Sequence, residues 1–357
     1  MKSLSAILAG LAGVIPPQSL QPADAMDVDA EKGAHAAPVP GRRHRMHDYQ
    51  SLTDLPHDGA IPALGAIATS GIRGALPFLD LPSGTIDVTM RGYTEGKRMT
   101  LEVRAGDRRA AVKCYNMPPD LEAKLYATIA GSSGAVRVPR LIGWDPDLRV
   151  MALEWLEGPN LLTLLKNGQG RRVGELAAAW LLESGKIPVR FGDHLGAESM
   201  LAKSYKWTDR LGAADPSLGS AAAIVAKRLV ATQPVESATR LVHGSLYDRH
   251  ILDAGDGPAL IDWDCFGQGP AELDAAVFLS VIWRGGLKPD RHEAATQARA
   301  VFLECTAGLL NETALAWHQA VTMLRLAHKK IRREDGDAVA AARPLLLEAA
   351  RLAAAAG

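Results

Sequence analysis

The stretch Leu241 to Ala276, LVHGSLYDRHILDAGDGPALIDWDCFGQGPAELDAA, constrains the fold of this chain more than any other. Two short apolar runs, Ile251-Leu252 and Ala259-Leu260-Ile261, flank a glycine-containing turn from Asp253 to Pro258. A turn carrying His243-Gly244-Ser245 precedes the first run. The second run delivers Asp262-Trp263-Asp264. If strand geometry persists there, both carboxylates face one side and Trp263 the other. Two such carboxylates repel each other unless a cation joins them. Mg²⁺ suits the place, because it takes one or two carboxylates together with phosphate oxygens and water. Two solvated aspartates in a turn are the alternative.

The order and spacing of these residues resemble the aminoglycoside phosphotransferase/choline kinase-like family. Its pattern is H-G-D-L-H-x-x-N-I-L, then I-D-W-E, then a glycine-proline with a following aspartate. His243, Gly244, Leu246, Ile251, Leu252, Ile261, Asp262, Trp263, Gly269, Pro270 and Asp274 carry the match. Two positions depart from it. Ser245 stands where the family has its catalytic aspartate, and His250 stands where asparagine is usual. The resemblance implies an α+β, protein-kinase-like fold of two lobes, a small antiparallel β N-lobe and a mainly helical C-lobe. It implies ATP or GTP with Mg²⁺ as cofactors and the hydroxyl of a small molecule as acceptor.

The candidate metal ligands are Asp262, Asp264 and His250, although imidazole is a poor ligand for Mg²⁺. The candidate catalytic residues are Ser245, Asp248 and His243. A serine hydroxyl is no carboxylate-like base near neutral pH, and general-base help is worth about 10²–10⁴ in rate. Phosphoryl transfer depends mainly on positioning and electrostatics, so this loss need not end turnover. Asp248 offers a carboxylate in the same loop, or is a solvated loop residue. His243 is expected to hold the loop, and Asp274 to brace it from the next helix.

Upstream, Ile86 to Met90, Met99 to Val103 and Ala110 to Tyr115 read as three strands, with Gly92 to Lys97 as the first turn. That turn could close over nucleotide phosphates with its backbone N–H groups. Lys113 lies among apolar strand residues and needs a polar partner if buried; otherwise it snorkels from an edge strand. Asp120 caps a helix with Leu121, Leu125, Tyr126 and Ile129 as its apolar stripe, ending near Gly131. On the family pattern Glu122 pairs with Lys113; the alternative is an acidic residue complementing the helix dipole. Val150 to Gly158 resembles the last N-lobe strand and hinge, where the backbone amides of Glu154 and Leu156 would hold a nucleotide base. Helices are expected at Leu161–Lys166, Val173–Glu183, Ser220–Val230, Ala271–Trp283, His292–Leu309, Thr313–Arg332 and from Val339 onward.

The expected organisation is a poorly ordered leader over 1–60, a nucleotide-binding N-lobe over 61–157 and a C-lobe over 158–357. The leader's apolar run, Leu4 to Ile15, loosely mimics a secretory signal; a cytoplasmic, ATP-using protein is the expectation. The chain has 357 residues, and its 40 basic and 40 acidic residues balance to zero, which argues against a nucleic-acid binder. No polycationic acceptor is implied either, and no membrane span is expected. Three scattered cysteines give no disulfide framework; Cys265 is expected as a small buried hydrophobe. An alternative function, favoured by Ser245 and His250, is a catalytically impaired nucleotide-binding protein acting through a partner.

Overall fold

The β-rich pattern beyond Thr85 builds a five-stranded antiparallel sheet in the order β1-β2-β3-β5-β4. Its strands are β1 (Asp87–Thr94), β2 (Arg98–Ala105), β3 (Arg108–Tyr115), β4 (Leu141–Asp145) and β5 (Val150–Glu154). The computed structural model describes residues 55–129, 135–236, 238–331 and 338–357. The expected leader up to residue 54, the helix stop at Gly131 and the basic pair Arg332-Arg333 lie outside those residues.

Alternation along the strands gives the sheet two unlike faces. Val88, Met90, Met99, Leu101, Val103, Val112 and Cys114 form one apolar face. It is covered by α1 (Pro62–Ala75), through Leu64, Ile67 and Ile72. The sequence reading did not anticipate α1. Its Ala and Gly content and a kink at Gly71, where φ is 68°, break up the helical period. The N-lobe also reaches back further than expected. Asp58 accepts hydrogen bonds from Tyr93 Oη at 3.0 Å and from Gly96 N at 2.7 Å, so it fastens the β1–β2 turn. Gly96 N–H, one of the amides of the turn that could close over nucleotide phosphates, is held by this carboxylate. Burial, with Asp58 beside it, pushes the Tyr93 phenol up to about 12.

The second face carries Thr100 and Glu102 of β2 beside Lys113 and Ala111 of β3, as the register Thr100↔Lys113 and Glu102↔Ala111 requires. Here α2 (Asp120–Ile129) follows β3 and places Glu122 in its first turn. Leu125, Tyr126 and Ile129 are buried as expected, whereas Leu121 is exposed.

The rest is mainly helical: α3 (Leu161–Lys166), α4 (Gly170–Ser184), α5 (Ala197–Ala214), α6 (Pro216–Ala231), α7 (Ala271–Gly285), α8 (His292–Cys305), α9 (Glu312–Ile331) and α10 (Ala338–Ala355). Short strands β6 (Asp193–His194), β7 (Arg240–Val242), β8 (Ile251–Asp253), β9 (Pro258–Leu260) and β10 (Gly267–Gly269) lie between them. α4 packs on α8, α5 on α6, α7 on α9 and α9 on α10. Trp180, Trp263 and Trp317 are buried in the shared core. α6 starts four residues before its expected first residue, because Pro216 opens it and Asp215 caps it, accepting from Ser217 N at 2.8 Å. Apolar periodicity marks where burial begins, not where the first turn does. α5 went unread because charged residues separate its buried stripe of Ala197, Met200, Ser204, Trp207 and Leu211. No helix among the described residues is long and apolar enough to cross a membrane.

The packing of α1 on the sheet has a measurable consequence. Ile67 is buried in that interface, so Ile67→Ala should lower unfolding free energy by about 2–5 kcal/mol, as truncated core side chains do. Chemical denaturation checks this; a loss within about 0.5 kcal/mol, as for ordinary surface changes, would mean that α1 is not part of the N-lobe core.

Candidate active site

Lys113 is the charged centre of the sheet's second face. It is 5% exposed. Its Nζ donates to Glu122 Oε1 at 2.7 Å and to Asp262 Oδ1 at 3.1 Å. Tyr115 Oη donates to the other oxygen of Glu122 at 2.8 Å. Burial alone would depress the ammonium's pKa. Glu122 and Asp262 override burial and hold it well above the usual lysine value. The snorkelling alternative therefore does not apply, and Glu122 is a partner to this lysine as well as a first-turn acid.

Asp262 is joined to the sheet by Lys113, but not in the geometry expected. β9 ends at Leu260, and Asp262 adopts a left-handed backbone with φ 67°. Strand alternation stops there, so Asp262 and Asp264 do not share a face by strand geometry. Each answers to a different cation: Asp262 to Lys113, and Asp264 to Arg98 at the start of β2. Burial would raise the Asp262 pKa, yet Lys113, His250 and Arg98 hold it far below the ordinary carboxylate value. Among the described residues no group of three or more His, Cys, Asp or Glu side chains converges.

His250 is buried and hydrogen-bonded on both ring nitrogens. Nδ1 donates to Ser245 O at 2.8 Å, which leaves Nε2 as the lone-pair nitrogen. Arg249 Nε donates to Nε2 at 3.1 Å, and Asp262 Oδ2 lies 3.3 Å away. Burial, with His243 and Arg249 nearby, pushes the imidazole down to about 3. It is neutral, and its Nε2 takes the Arg249 donor beside Asp262 without bonding the carboxylate. As a ligand it would offer nitrogen, which Mg²⁺ takes poorly.

The loop itself is held by Asp274, which is fully buried at the start of α7. This carboxylate accepts from His243 N at 2.7 Å, Gly244 N at 2.9 Å and Trp180 Nε1 at 3.0 Å. The brace expected from the sequence is thus made by three N–H donors. Burial raises the Asp274 pKa, and His243 with these N–H groups opposes that rise. Gly244 has φ 71°, and a Cβ there would lie 2.0 Å from Cys265 O, so no other residue fits. Cys265 is half-buried, less enclosed than expected.

Ser245 is 3% exposed, and its Oγ lies 3.2 Å from His243 Nδ1. His243 Nε2 lies 3.0 Å from Ile261 O, an acceptor only, so that nitrogen carries the proton. Nδ1 is then free to accept from the serine hydroxyl. The His243 ring stacks obliquely on Trp263, with centroids 4.7 Å apart, and burial lowers its pKa. His243 therefore fastens the loop, as expected, and also forms a hydroxyl–imidazole pair with Ser245.

Asp248 is not brought to this cluster. It is buried, not solvated, and burial raises its pKa against Arg284, Arg249 and Arg291. The charges acting on it are these arginines, not Lys113. At the hinge, Glu154 N is committed to Arg140 O at 2.9 Å, so its amide is not the donor expected for a nucleotide base. Leu156 is half-buried.

Sequence reasoning missed Glu102. It is 1% exposed on the Lys113 face and receives Arg91, Arg104 and Arg109, with Nε of the last two at 2.6 Å. Arg109 also lies 4.2 Å from the ring centre of Trp155, which Arg91 approaches at 5.6 Å. The alternation Arg98-Thr100-Glu102-Arg104 on one strand face was the available signal.

A family model described as the phosphotransferase enzyme family matches residues 95–320. The chain belongs to that family. No curated protein matches the sequence. Among solved structures, choline kinase LicA from Streptococcus pneumoniae is similar in fold, with TM-score 0.58 at 12% identity, covering 81% of this chain and 99% of that one. Aminoglycoside phosphotransferase APH(4)-Ia gives TM-score 0.57 at 14% identity over 81% of this chain and 99% of that one. Choline kinase from Cryptosporidium parvum Iowa II gives 0.54 at 12%, covering 80% and 94%. Helix α1 and helix α10 lie outside the family match.

Two outcomes follow from these contacts. Asp274→Asn replaces one acceptor oxygen by a donor facing N–H groups, and should cost about 1–3 kcal/mol for each donor orphaned; denaturant unfolding that shows no loss would contradict the brace. Burial would raise the Glu102 pKa, but the three arginines lower it from 4.5 to about 2. A depressed carboxylate stabilises the fold above its unfolded pKa and loses that contribution as pH falls through the folded one. The melting-temperature gap between wild type and Glu102→Gln should therefore be widest near neutral pH and shrink between about pH 4.5 and 2. A gap independent of pH would sink this reading.

Proposed function

We propose that the protein is an ATP- or GTP-dependent, Mg²⁺-requiring phosphotransferase acting on the hydroxyl of a small molecule. The observation that carries this reading is the buried ammonium of Lys113, shared between Glu122 of α2 and Asp262 beyond β9. Kinase-type transfer needs such a lysine, fixed by a glutamate, against the nucleotide phosphates. The sheet and α2, residues 61–157 with Asp58, would hold the nucleotide. The helical part, 158–357, would hold the acceptor. A cytoplasmic setting follows from the need for nucleotide.

Asp262 and Asp264 fit a Mg²⁺ site of the one-or-two-carboxylate kind. Asp262 is partly exposed, and Asp264 would exchange Arg98 for the ion. The ion would neutralise charge on the transferring phosphoryl group. The chain's own groups do the rest. Lys113 would orient phosphate oxygens. The Asp274-braced loop would present Ser245 to the acceptor hydroxyl. Ser245 Oγ can accept a hydrogen bond from that hydroxyl while donating its own proton to His243 Nδ1. His243 is thereby the resting place for the proton.

The second reading is a catalytically impaired nucleotide-binding protein acting through a partner. The Arg98–Asp264 ion pair favours it, because a guanidinium occupies one of the two carboxylates a metal would use.

Hydrolysis of γ-labelled ATP with Mg²⁺, which needs no acceptor, separates the two. The transferase reading expects a slow rate that disappears in both Asp262→Ala and Lys113→Ala. It also expects Ser245→Asp to raise the rate, within the range of about 10²–10⁴ that general bases supply. Burial lowers the His243 pKa, so its neutral form persists to lower pH than usual. The wild-type rate should then be flat through neutral pH and fall only below the ordinary histidine range near 6.5. No rate above Asp262→Ala in either wild type or Ser245→Asp would leave the binding-protein reading standing.

A further inference from the structure

Arg98 opens β2, and its guanidinium is paired with Asp264. Arg98 stands opposite Tyr115 and Thr100 opposite Lys113, so Arg98 and Lys113 lie on the same sheet face. The two cations reach the two aspartates after β9, Lys113 to Asp262 and Arg98 to Asp264. Burial would raise the Asp262 pKa; Lys113, His250 and Arg98 hold it down, so the Arg98 charge is felt at both carboxylates. The backbone is anchored at each end of this pair. Gly96 N is fastened to Asp58, and Asn116 N donates to Lys97 O at 2.8 Å. Trp263 is fully buried, its Nε1 donates to Leu260 O at 3.2 Å, and Phe266 N donates to Trp263 O at 3.2 Å. The two side chains can part without the backbones moving. That of Arg98 is 41% exposed and that of Asp264 18%, so the guanidinium has room to leave on the solvent side.

An ion that takes Asp264 must first remove this guanidinium. Afterwards the two positive charges stand side by side and repel. A bare divalent cation brings nothing to absorb the displaced charge. A nucleotide does. Its phosphate oxygens would lie against Lys113 on the same face, and a guanidinium makes paired, charge-assisted hydrogen bonds to phosphate as it does to carboxylate. The exchange is then balanced. Arg98 passes from carboxylate to phosphate, and Asp264 passes from guanidinium to metal. A partly exposed ion pair is weak enough to be traded in this way. Lys113 needs no such exchange, because Glu122 remains bound to it when Asp262 turns to the metal.

We infer that Arg98 guards Asp264, keeping the carboxylate from the metal until nucleotide phosphates take the guanidinium, so that cation and nucleotide bind cooperatively. Arg98 is thereby a phosphate-binding residue as well as a guard. This names the regulation of the nucleotide site proposed above and rests on that reading. Coupling between two ligands is reciprocal: the metal tightens the nucleotide by the factor by which the nucleotide tightens the metal. One side chain therefore sets both.

The test titrates the full chain with Mn²⁺ alone, with ADP alone and with both. Mn²⁺ stands in for Mg²⁺ because its paramagnetic resonance signal reports the free ion, and the Mn²⁺ held by unbound ADP is subtracted. Wild type, Arg98→Gln, Arg98→Lys and the double variant Arg98→Gln with Asp264→Ala are compared, each first shown by melting to be folded. Wild type should bind Mn²⁺ at least about fivefold more tightly with ADP than without, the low end of ordinary coupling between ligands. Arg98→Gln should bind Mn²⁺ alone at least about fivefold better than wild type and ADP alone more weakly, so that the coupling shrinks. Arg98→Lys keeps the charge and should stay near wild type for Mn²⁺ alone. The gain in Arg98→Gln should vanish in the double variant. The inference is overturned if Mn²⁺ alone binds wild type and Arg98→Gln equally, if the gain survives Asp264→Ala, or if Arg98→Gln leaves the coupling unchanged. Unchanged coupling in a protein that hydrolyses ATP sinks the guard and leaves the transferase reading standing. Shrunken coupling in a protein that hydrolyses no ATP supports the guard and refutes the transferase reading.

Discussion

One buried ammonium organises this molecule. Lys113 on β3 is enclosed by protein, and an enclosed charge is tolerable only with close opposite partners. It has two, and they come from different places: Glu122 from the helix after the sheet, Asp262 from the segment after β9. Removing either would leave an uncompensated buried charge, which is far costlier than losing a surface pair. The arrangement therefore ties strand, helix and loop to one geometry. Arg98 to Asp264 repeats the connection a few residues on, where the cation is more exposed than Lys113 and the bond correspondingly weaker.

A second constraint fixes the loop that faces this lysine. Asp274 gathers two consecutive loop N–H groups and an indole N–H, and Trp180, Trp263 and the His243 ring close around it. The result is a rigid loop built around a serine. Ser245 stands where the quoted family pattern has a carboxylate; under the proposed transfer, the loop would contribute position, and in phosphoryl transfer position and electrostatics carry most of the rate. Ser245, paired with His243, departs from the quoted family pattern while the frame around it is kept.

Much of this frame was legible in the sequence. The three strands followed from short-range alternation, while the Lys113–Glu122 contact and the Asp274 brace, both present, were expectations of the family resemblance. The geometry after Leu260 was not legible. Strand alternation predicted that Asp262 and Asp264 would share a face, but a left-handed residue at Asp262 breaks the alternation, and aspartate gives little warning of it. Asp248 is buried, where a solvated loop residue was one alternative, because loop residues do not announce which way they point. α1 and α5 were unread because small residues in one and charges in the other dilute the period. The Glu102 cluster and the Asp58 anchor depend on partners 35 or more residues away or on neighbouring strands, which pattern alone does not bring together.

The central claim is that Lys113, held by Glu122 and Asp262, forms the phosphate end of a nucleotide site. Isothermal calorimetry of ATP with and without Mg²⁺ against wild type, Lys113→Met and Glu122→Gln tests it directly. Binding by wild type that strengthens with Mg²⁺, and that weakens at least tenfold in both variants, is the predicted result. Binding of equal strength in all three proteins, or no binding at millimolar nucleotide, would contradict it.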